Sequence, residues 1–558
     1  MVSMMTPTQS NSTPIVTPGT SAAQTVAQVM LEQLRLWGVQ RIYGVAGDSV
    51  FGLLDALAKQ QAITFIAVRH ESVAALMASA EAKLTGRLGV CVAQMGPGLA
   101  NLINGLGDAF LDHAPVLAIT GQAPFYKIGT NYKQYINQQQ LVQAVSASSE
   151  LIVHPDAVVE AMTQAMFTSV SRRTVSHLSV PSDLYGQTTA IPPKPLPPVA
   201  PPASNPEVWQ RALALLRTAQ QPMLLLGSRA ARLDPESIGR FADAWGCGIA
   251  MAYGAIGVVP EDHPYMLHGL GEGGNPSLAP LFRRADVVLA LDTSWWPEGV
   301  VPNTERIVRV AGRQEDLGIP LPMELGILEE GTTWLPQLIE GLRSHEINPG
   351  WIDHVKHCKR VWSTQNERER NESGSPLPPS SVIRLVEQTI AEDAVITLDE
   401  GDCTLWFLRN FRAKRQRLLL SDRWRTMGFG LPAALAAKLC SPHKEVVCIT
   451  GDGGLGMVLA DLLTAKRYGI AITVIVFNNG TLQMEQDKMI MKGLIPEGTQ
   501  LTNPDFAKAA EACGWEAFRI GSMDQLEDVL KQSRTSANPV LLDVLAAPMP
   551  HPDFQAQT

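Results

Sequence analysis

Two polar turns near the carboxyl terminus carry residue types that bind a hard cation and a phosphate group. The glycine-rich run Gly451-Asp452-Gly453-Gly454 follows one apolar segment directly, and Asn478-Asn479 follows the next. Mg²⁺ prefers oxygen ligands and commonly takes one or two from protein and the rest from phosphate and water. Backbone amides of a glycine-rich turn approach an anion closely. We therefore expect Asp452, the Asn479 side chain and the main-chain carbonyl of Thr481 to form a metal-bridged diphosphate site.

Each of these two fragments has an ordinary alternative. Gly-Asp-Gly also forms plain strand-to-helix turns, and Asn-Asn also forms plain strand ends. The pair is more specific, because residues 454–477 separate the two fragments. This arrangement resembles the signature of thiamine-diphosphate enzymes.

A glutamate near the amino terminus has the surroundings that thiamine catalysis requires. Glu71 ends the segment FIAVRHE, after an apolar strand and just before an alanine-rich helix. A carboxyl group beside the pyrimidine ring of thiamine promotes deprotonation of the thiazolium carbon, and an apolar pocket helps it hold a proton. A glutamate at a helix start is also an ordinary partner of the helix dipole. We give no catalytic role to His70, which precedes it.

Longer segments resemble the pyruvate oxidase and acetolactate synthase family from about residue 22 onward. They are RIYGVAGDSVFGLLDAL, VRHESVAALMASAEAKLTGRLGVCV, GPGLANLINGLGDAFLDHAPVLAITGQ, SDRWRTMGFGLPAALAAKL and TNPDFAKAAEACG. The carboxyl-terminal part is more similar to pyruvate oxidases than to acetolactate synthases.

The resemblance implies roles for individual residues. Glu71 becomes the cofactor-activating acid, Gln134 an active-site glutamine near the substrate, and Met427 the bulky side chain that holds the cofactor in its bent conformation. Met427 could equally be core filling. The expected cofactor-binding set is Glu71, Gly401, Met427, Gly451, Asp452, Gly453, Gly454, Asn479 and Thr481.

The family also implies thiamine diphosphate and Mg²⁺ as cofactors, and a homodimer or homotetramer with active sites between subunits. The implied reaction is decarboxylation of pyruvate or a similar 2-oxo acid, followed by oxidation or carboligation. Two alternatives stay open. One is an acetyltransferase or decarboxylase that acts on an anionic 2-oxo acid without flavin. The other is a non-catalytic cofactor-binding protein, for which loss of Glu71 or Asp452 would be the expected mark, and both are present.

Three departures from the family pattern concern the second cofactor and the substrate. The central region resembles a flavin-binding domain, but Arg309–Arg313 stands where relatives carry an acidic segment near the flavin adenosine, so flavin adenine dinucleotide stays open. Lys133 replaces a phenylalanine beside Gln134. Met484 and Lys488 stand where an aromatic and an acidic residue are common. The two lysines are either ordinary exposed residues or signs of an anionic second substrate.

Composition excludes several other classes of protein. The 558 residues are 45% hydrophobic and 18% charged, with a formal charge of −9, which argues against a nucleic-acid partner. The seven cysteines show no paired spacing, so neither a disulfide framework nor a zinc site is indicated and a cytoplasmic location is expected. No apolar run is long enough to span a bilayer.

Alternating short apolar runs and helix-like stretches predict βαβ units with buried parallel sheets. We predict a disordered tail over residues 1–21 and three α/β doubly wound domains. These are a pyrimidine-binding domain over 22–190, a central flavin-type domain over 205–345 and a diphosphate-binding domain over 375–558. Proline-rich or polar linkers are predicted over Ile191–Pro206 and Ser363–Ser381. The predicted strands are Arg41–Val45, Leu88–Ala93, Val116–Thr120, Met223–Leu226, Val287–Leu291, Ile307–Val310, Ala394–Leu398, Val446–Thr450 and Ile472–Phe477.

Overall fold

The computed structural model describes residues 24–197, 205–293, 299–318, 323–329 and 334–554. The predicted tail over residues 1–21 lies outside these ranges. The described residues form three parallel sheets of six strands each, with helices against them, which confirms the predicted α/β class. Within the same ranges, no helix has the length and apolar character needed to cross a membrane.

The amino-terminal sheet has the strand order β3-β2-β4-β5-β7-β6, and a two-residue antiparallel pair, β1 with β8, lies beside it. Every residue of β4, β5 and β7 is buried, as expected for strands covered on both faces. The strands are β1 Gln24–Thr25, β2 Arg41–Gly44, β3 Thr64–Ala67, β4 Gly89–Ala93, β5 Val116–Gln122, β6 Ser148–Leu151, β7 Val175–Pro181 and β8 Thr188–Thr189. The helices are α1 Val26–Leu36, α2 Phe51–Ala58, α3 Glu71–Thr85, α4 Pro97–Leu111, α5 Gln138–Val142 and α6 Val158–Arg172.

The central sheet has the order β11-β10-β9-β12-β13-β14, so the chain adds β10 and β11 on one side of β9 and then β12 to β14 on the other. Its strands are β9 Pro222–Leu226, β10 Gly248–Met251, β11 Met266–Gly269, β12 Val287–Leu291, β13 Ile307–Ala311 and β14 Leu325–Leu328. Its helices are α7 Pro206–Leu216, α8 Pro235–Trp245, α9 Leu278–Arg283, α10 Gln314–Leu317 and α11 Leu335–Leu342.

The carboxyl-terminal sheet has the order β16-β15-β17-β18-β20-β19. If the strands are numbered along the chain from β2 in the amino-terminal sheet and from β15 in this one, the two sheets have the same strand order. The sequence shows no obvious internal repeat that would indicate this. The strands are β15 Val395–Leu398, β16 Arg417–Leu419, β17 Val446–Gly451, β18 Thr473–Asn478, β19 Glu516–Ile520 and β20 Val540–Leu545. The helices are α12 Pro349–Arg370, α13 Pro379–Thr389, α14 Asp402–Asn410, α15 Gly430–Cys440, α16 Asp452–Val458, α17 Leu462–Tyr468, α18 Gln483–Met491, α19 Phe506–Ala512 and α20 Met523–Ser533.

The predicted linker over Ser363–Ser381 is wrong in its first half, because α12 continues to Arg370. The polar composition hides a buried helix face on which Trp362, Asn366 and Arg370 follow one another at a spacing of four residues. The Arg370 guanidinium pairs with the Glu387 carboxylate at 2.6 Å, so a charged residue is satisfied inside the fold rather than in solvent.

Candidate active site

A cavity of about 250 Å³ lies at the carboxyl end of the C-terminal sheet, around the loops that follow β15 and β17. From β15 the chain goes to β16 on one side, whereas β17 and β18 lie on the other, so this is where the strand order reverses. Open α/β sheets bind ligands at such a point. Every predicted cofactor-binding residue except Glu71 lines the cavity: Gly401, Met427, Gly451, Asp452, Gly453, Gly454, Asn479 and Thr481.

The Asp452 carboxylate is fixed by three N–H donors. It is 3% exposed. Its Oδ1 accepts from the Gly453 amide at 2.9 Å, and its Oδ2 accepts from the Gly480 amide and from the Asn503 side-chain amide, both at 2.7 Å. Burial raises the pKa of the Asp452 carboxyl, although the hydrogen bonds act in the opposite direction. A cation bound beside it would favour the ionised form.

The end of β18 supplies the second oxygen group. The Asn479 side-chain oxygen accepts from the Thr481 amide at 3.1 Å, and Asn478 donates to Asp543 at 2.8 Å. In the described ranges no group of three or more His, Cys, Asp or Glu side chains could hold a metal ion. One carboxylate with amide and carbonyl oxygens suits Mg²⁺, which completes its shell with phosphate and water. Asp452, Asn479 and Thr481 therefore fit the predicted metal.

Two glycines of this turn lie so close to neighbouring side chains that a Cβ would clash with them. A Cβ at Gly453 would lie 2.9 Å from both the Met427 methyl and Leu482, and a Cβ at Gly454 would lie 2.8 Å from the Asp399 carboxyl. The backbone of Gly401 has a φ of 140°, a conformation that L residues rarely adopt. Met427 is half-buried and lines the cavity, which favours the predicted cofactor contact over core filling.

Glu71 lies at the carboxyl end of the N-terminal sheet, as the first residue of α3 after β3. Its Oε2 accepts from the Asn101 side-chain amide of α4 at 2.9 Å. His70 caps the same helix, because its Nδ1 accepts from the Ser72 amide at 3.2 Å. The cap explains His70 as a structural residue.

Gln134 belongs to a second polar group at this edge. Its backbone has a left-handed φ of 60°, and its Oε1 accepts from the Gln94 side-chain amide at 3.0 Å. Gln94 also donates to Asp48 at 2.5 Å, and the Lys133 ammonium pairs with Asp48 at 2.8 Å. The hydrogen bond from Lys133 lowers the pKa of Asp48. Lys133 is thus an exposed residue whose charge is balanced, and it does not line the 250 Å³ cavity.

The predicted site residues consequently fall into two sets. Among the described residues, no hydrogen bond or ion pair joins Glu71 or Gln134 to Asp452, Asn479 or Thr481. Each set lies at the carboxyl end of its own sheet.

Sequence reasoning missed a charged group that also lines the cavity. Glu400 is 7% exposed and accepts from the Tyr253 hydroxyl at 3.2 Å, and burial raises the pKa of Glu400 to about 7. Arg425 has a left-handed φ of 52°, pairs with Glu272 at 2.6 Å and covers the Tyr253 ring at 4.3 Å. Acidic residues beside Gly401 and a cation shortly before Met427 were the signals available in the sequence.

Three further charged residues, Asp402, Glu485 and Lys488, line the cavity. Asp402 begins α14, and Lys488 of α18 pairs with Glu485 at 3.2 Å. Lys488 therefore lines the cavity, as the anionic-substrate alternative requires, whereas Lys133 does not line it.

Arg309, in the segment where the central domain departs from the family pattern, is a buried cation. Arg309 is 1% exposed and donates to the Asp316 carbonyl at 2.6 Å. The Asp316 carboxylate pairs with Arg229 at 2.5 Å. The Asp316 carboxylate is thus already engaged by another guanidinium.

Comparisons with known proteins cover all three sheets. Family models described as the N-terminal TPP binding domain, the central domain and the C-terminal TPP binding domain of thiamine pyrophosphate enzymes match residues 24–141, 209–338 and 399–544.

Individual relatives span almost the whole chain. The protein YdaP of Bacillus subtilis, named for containing thiamine pyrophosphate, is 33% identical over 94% of this chain and 92% of its own length. An acetolactate synthase of Mycobacterium bovis is 30% identical over 93% of this chain and 88% of its own. A pyruvate oxidase of Lactiplantibacillus plantarum is 29% identical over 92% and 87%.

Proposed function

The chain belongs to the thiamine pyrophosphate enzyme family, and on that premise we propose a thiamine-diphosphate- and Mg²⁺-dependent enzyme that decarboxylates pyruvate or a similar 2-oxo acid. Oxidation or carboligation follows the loss of CO₂. The observation that carries the proposal is the Asp452 carboxylate, which three N–H donors hold in a cavity lined by Asn479 and Thr481.

The residues of the cavity would bind the cofactor through its diphosphate. Asp452, the Asn479 side chain and the Thr481 carbonyl would hold Mg²⁺, and the glycines 451, 453 and 454 would admit the phosphate groups. Met427 would support the cofactor from the side of Gly453. Once bound, thiamine diphosphate supplies an acidic carbon that adds to the keto group of the substrate and accepts its electrons.

Glu71 would handle the proton that activates this carbon. It is oriented by Asn101 and lies in the set at the N-terminal sheet. Because that set is separate from the Asp452 set within one chain, we propose a homodimer at least, in which Glu71 of one subunit completes the cavity of the other. A homotetramer and a cytoplasmic location fit the same proposal.

The cations of the cavity support a second candidate, an acetyltransferase or decarboxylase that acts on an anionic 2-oxo acid without flavin. Lys488 and Arg425 both line the cavity and would attract an anionic group. The central sheet gives flavin adenine dinucleotide little support, because buried Arg309 offers donors only and Asp316 is paired with Arg229.

One assay separates these candidates. Purified protein with thiamine diphosphate and Mg²⁺ should release CO₂ from pyruvate or from a dicarboxylic 2-oxo acid, and the identity of the second product then distinguishes oxidation from carboligation. A visible flavin spectrum in the purified protein would favour oxidation. Chelation of the metal should stop CO₂ release. If no 2-oxo acid is consumed although the cofactor binds, the proposed reaction is wrong.

A further inference from the structure

Met427 lies at the end of a segment, residues 420–427, that follows β16 and reaches the cavity wall. Helix α4, which packs against the N-terminal sheet, holds the start of this segment. Asp112 at the end of α4 accepts from the backbone amides of Asp422 and Arg423, at 2.9 and 2.8 Å. The course of the chain towards Met427 is thus set by a helix that belongs to the other sheet.

The Trp424 indole lies directly on α4. A Cβ at Gly107 would be 2.8 Å from two atoms of the indole ring, so only a glycine at this position leaves room for it. The indole N–H donates to the Asn104 side-chain oxygen at 2.8 Å. Although 39% of Trp424 is exposed, its ring is therefore fixed by a packing contact and by a hydrogen bond.

A chain of hydrogen bonds connects Asn104 to Met427. The Asn104 side-chain amide donates to the Thr426 hydroxyl oxygen at 3.0 Å, and the same hydroxyl donates to the Met427 carbonyl oxygen at 3.0 Å. Because an indole N–H can only donate, Trp424 fixes which end of the Asn104 amide faces Thr426. A hydroxyl that accepts from this amide then has its hydrogen available for Met427. Each group in the chain has one consistent role as donor or acceptor.

The residues of the segment alternate between α4 and the cavity. Trp424 and Thr426 contact Asn104, whereas Arg425 and Met427 line the cavity. Arg425 has partners of its own from the central region. Met427 therefore depends on the α4 contacts more than Arg425 does.

Met427 is also fixed from its other side. The Gly428 amide donates to the Asp399 carboxyl at 2.7 Å, and Gly428 has a left-handed φ of 84°. Asp399 is 1% exposed, and its carboxyl also accepts from Thr450 directly before the glycine-rich turn. Of the two supports of Met427, the Asn104 chain is the one that can be removed without changing a buried charge beside the diphosphate site.

We propose that Asn104 and Trp424 are positioning residues that keep Met427 in place against the bound cofactor. The inference rests on the proposed function, in which Met427 supports the cofactor. Neither side chain is among the described residues that line the cavity, so both act through Thr426 and Met427. Groups of an active site have to be held within about 0.5 Å of the productive geometry, and a displacement of about 1 Å can cost about 10²-fold in rate.

The test compares full-length holoenzymes in which this chain is broken at different points. Asn104→Leu removes both hydrogen bonds of Asn104, and Thr426→Val removes the hydroxyl but keeps the shape of the side chain. We expect each variant to lower kcat about tenfold. KM and the Kd of thiamine diphosphate with Mg²⁺ should stay unchanged, because the Asp452 site is intact. Near-ultraviolet circular dichroism of the bound cofactor, which reports its conformation without turnover, should change in both variants.

Three further variants calibrate this effect. Trp424→Phe keeps the ring on Gly107 but loses the indole N–H, so kcat should fall only about threefold. Thr426→Ser keeps the hydroxyl and should retain the kcat and the dichroism of the wild type. Trp37→Phe is the matched control, because it loses an indole hydrogen bond of the same kind, to the Lys194 carbonyl at 3.0 Å, and should change neither quantity.

The outcomes separate positioning from a structural role. Lower thermal stability of Asn104→Leu and Thr426→Val, with kcat and dichroism as in the wild type, would overturn the inference. An effect of Asn104→Leu that Thr426→Val does not reproduce would place the cause at Asn101 and Glu71, beside the same helix, and would overturn it as well. If Asn104→Leu does not fold, Thr426→Val and Trp424→Phe still decide the question. Failure of the wild type to bind thiamine diphosphate would instead refute the proposed function, and the inference with it.

Discussion

The two outer sheets have the same strand order but hold their site residues in different ways. At the C-terminal sheet, Asp452 is buried and receives hydrogen bonds from backbone and side-chain amides, in a turn where a Cβ at Gly453 or Gly454 would clash. At the N-terminal sheet, Glu71 is only half-buried and receives one amide hydrogen bond, from Asn101. In the proposed site, the residues that would hold the metal and the diphosphate thus come from one chain, whereas Glu71 would need a further surface to enclose it.

Glu71→Gln should have the largest effect on turnover, and it tests the role proposed for the N-terminal sheet. Because a neutral amide cannot exchange the proton, turnover should fall about 10²–10⁴-fold, while cofactor affinity, which depends on the other sheet, should hold. Deuterium exchange at C2 of the bound cofactor measures the effect directly. Glu160→Gln, at the exposed start of α6, is a matched control that should leave exchange unchanged. Exchange in Glu71→Gln within about threefold of wild type would defeat the assignment.

Asp452→Ala should have the converse effect. Loss of the one carboxylate ligand should weaken thiamine diphosphate binding by about 100-fold or more together with Mg²⁺, because the diphosphate is held through the ion. Calorimetry with and without Mg²⁺ measures this loss. Unchanged binding in the variant, or in the wild type with a chelator, would contradict the model of the site.

Asn503→Ala tests how much the orientation of the Asp452 carboxylate depends on the Asn503 side chain. The Asn503 amide donates to Asp452 at 2.7 Å and to the Asn478 side-chain oxygen at 3.1 Å, so it orients the carboxylate without lining the cavity. Loss of such an outer partner typically costs about 10- to 100-fold in metal affinity. The loss of Mg²⁺ affinity, measured by titration of the variant, should fall in that range. An effect as large as that of Asp452→Ala would show that the turn does not hold its own shape.

The smallest expected effect separates the two lysines. Lys488→Met should change the ranking of neutral and anionic substrates by about threefold to tenfold, since a partly exposed cation paired with Glu485 has a modest influence. Lys133→Met should leave the ranking unchanged, because Lys133 is exposed and its charge is balanced by Asp48. Steady-state kinetics over a panel of 2-oxo acids checks both. If neither variant changes the ranking, both lysines are surface residues and the anionic-substrate candidate loses its support.

Much of the cavity could be predicted from sequence because its residues directly follow strands. Asp452 and Asn479 follow adjacent buried strands, whose carboxyl ends must meet at one edge of the sheet. Asn503 could not be found in this way, because its contact with Asp452 crosses 51 positions of sequence. Asp402 and Glu400 were passed over because an isolated carboxyl group gains its significance only from the neighbours that the fold brings to it.

Two of the missed strands have a similar cause. β6 (SSEL) and β19 (EAFRI) lie at the edges of their sheets and are short and partly polar, so they lack the continuous apolar run that predicts a buried strand. The linker prediction was wrong over its helical half for the opposite reason. Its buried face is made of Trp362, Asn366 and Arg370, and a polar composition concealed it.

Helix α12 also affects how the protein should unfold. Its 22 residues extend over about 33 Å. Within the C-terminal region, Glu369 and Arg370 pair with Arg409 and Glu387. Trp351, on the first turn of α12, packs in the core of the central sheet. The central region cannot unfold without exposing Trp351, and the C-terminal region cannot unfold without breaking these buried ion pairs, which are costly to leave half-made. The central and C-terminal parts should therefore denature as a single cooperative unit despite having separate sheets.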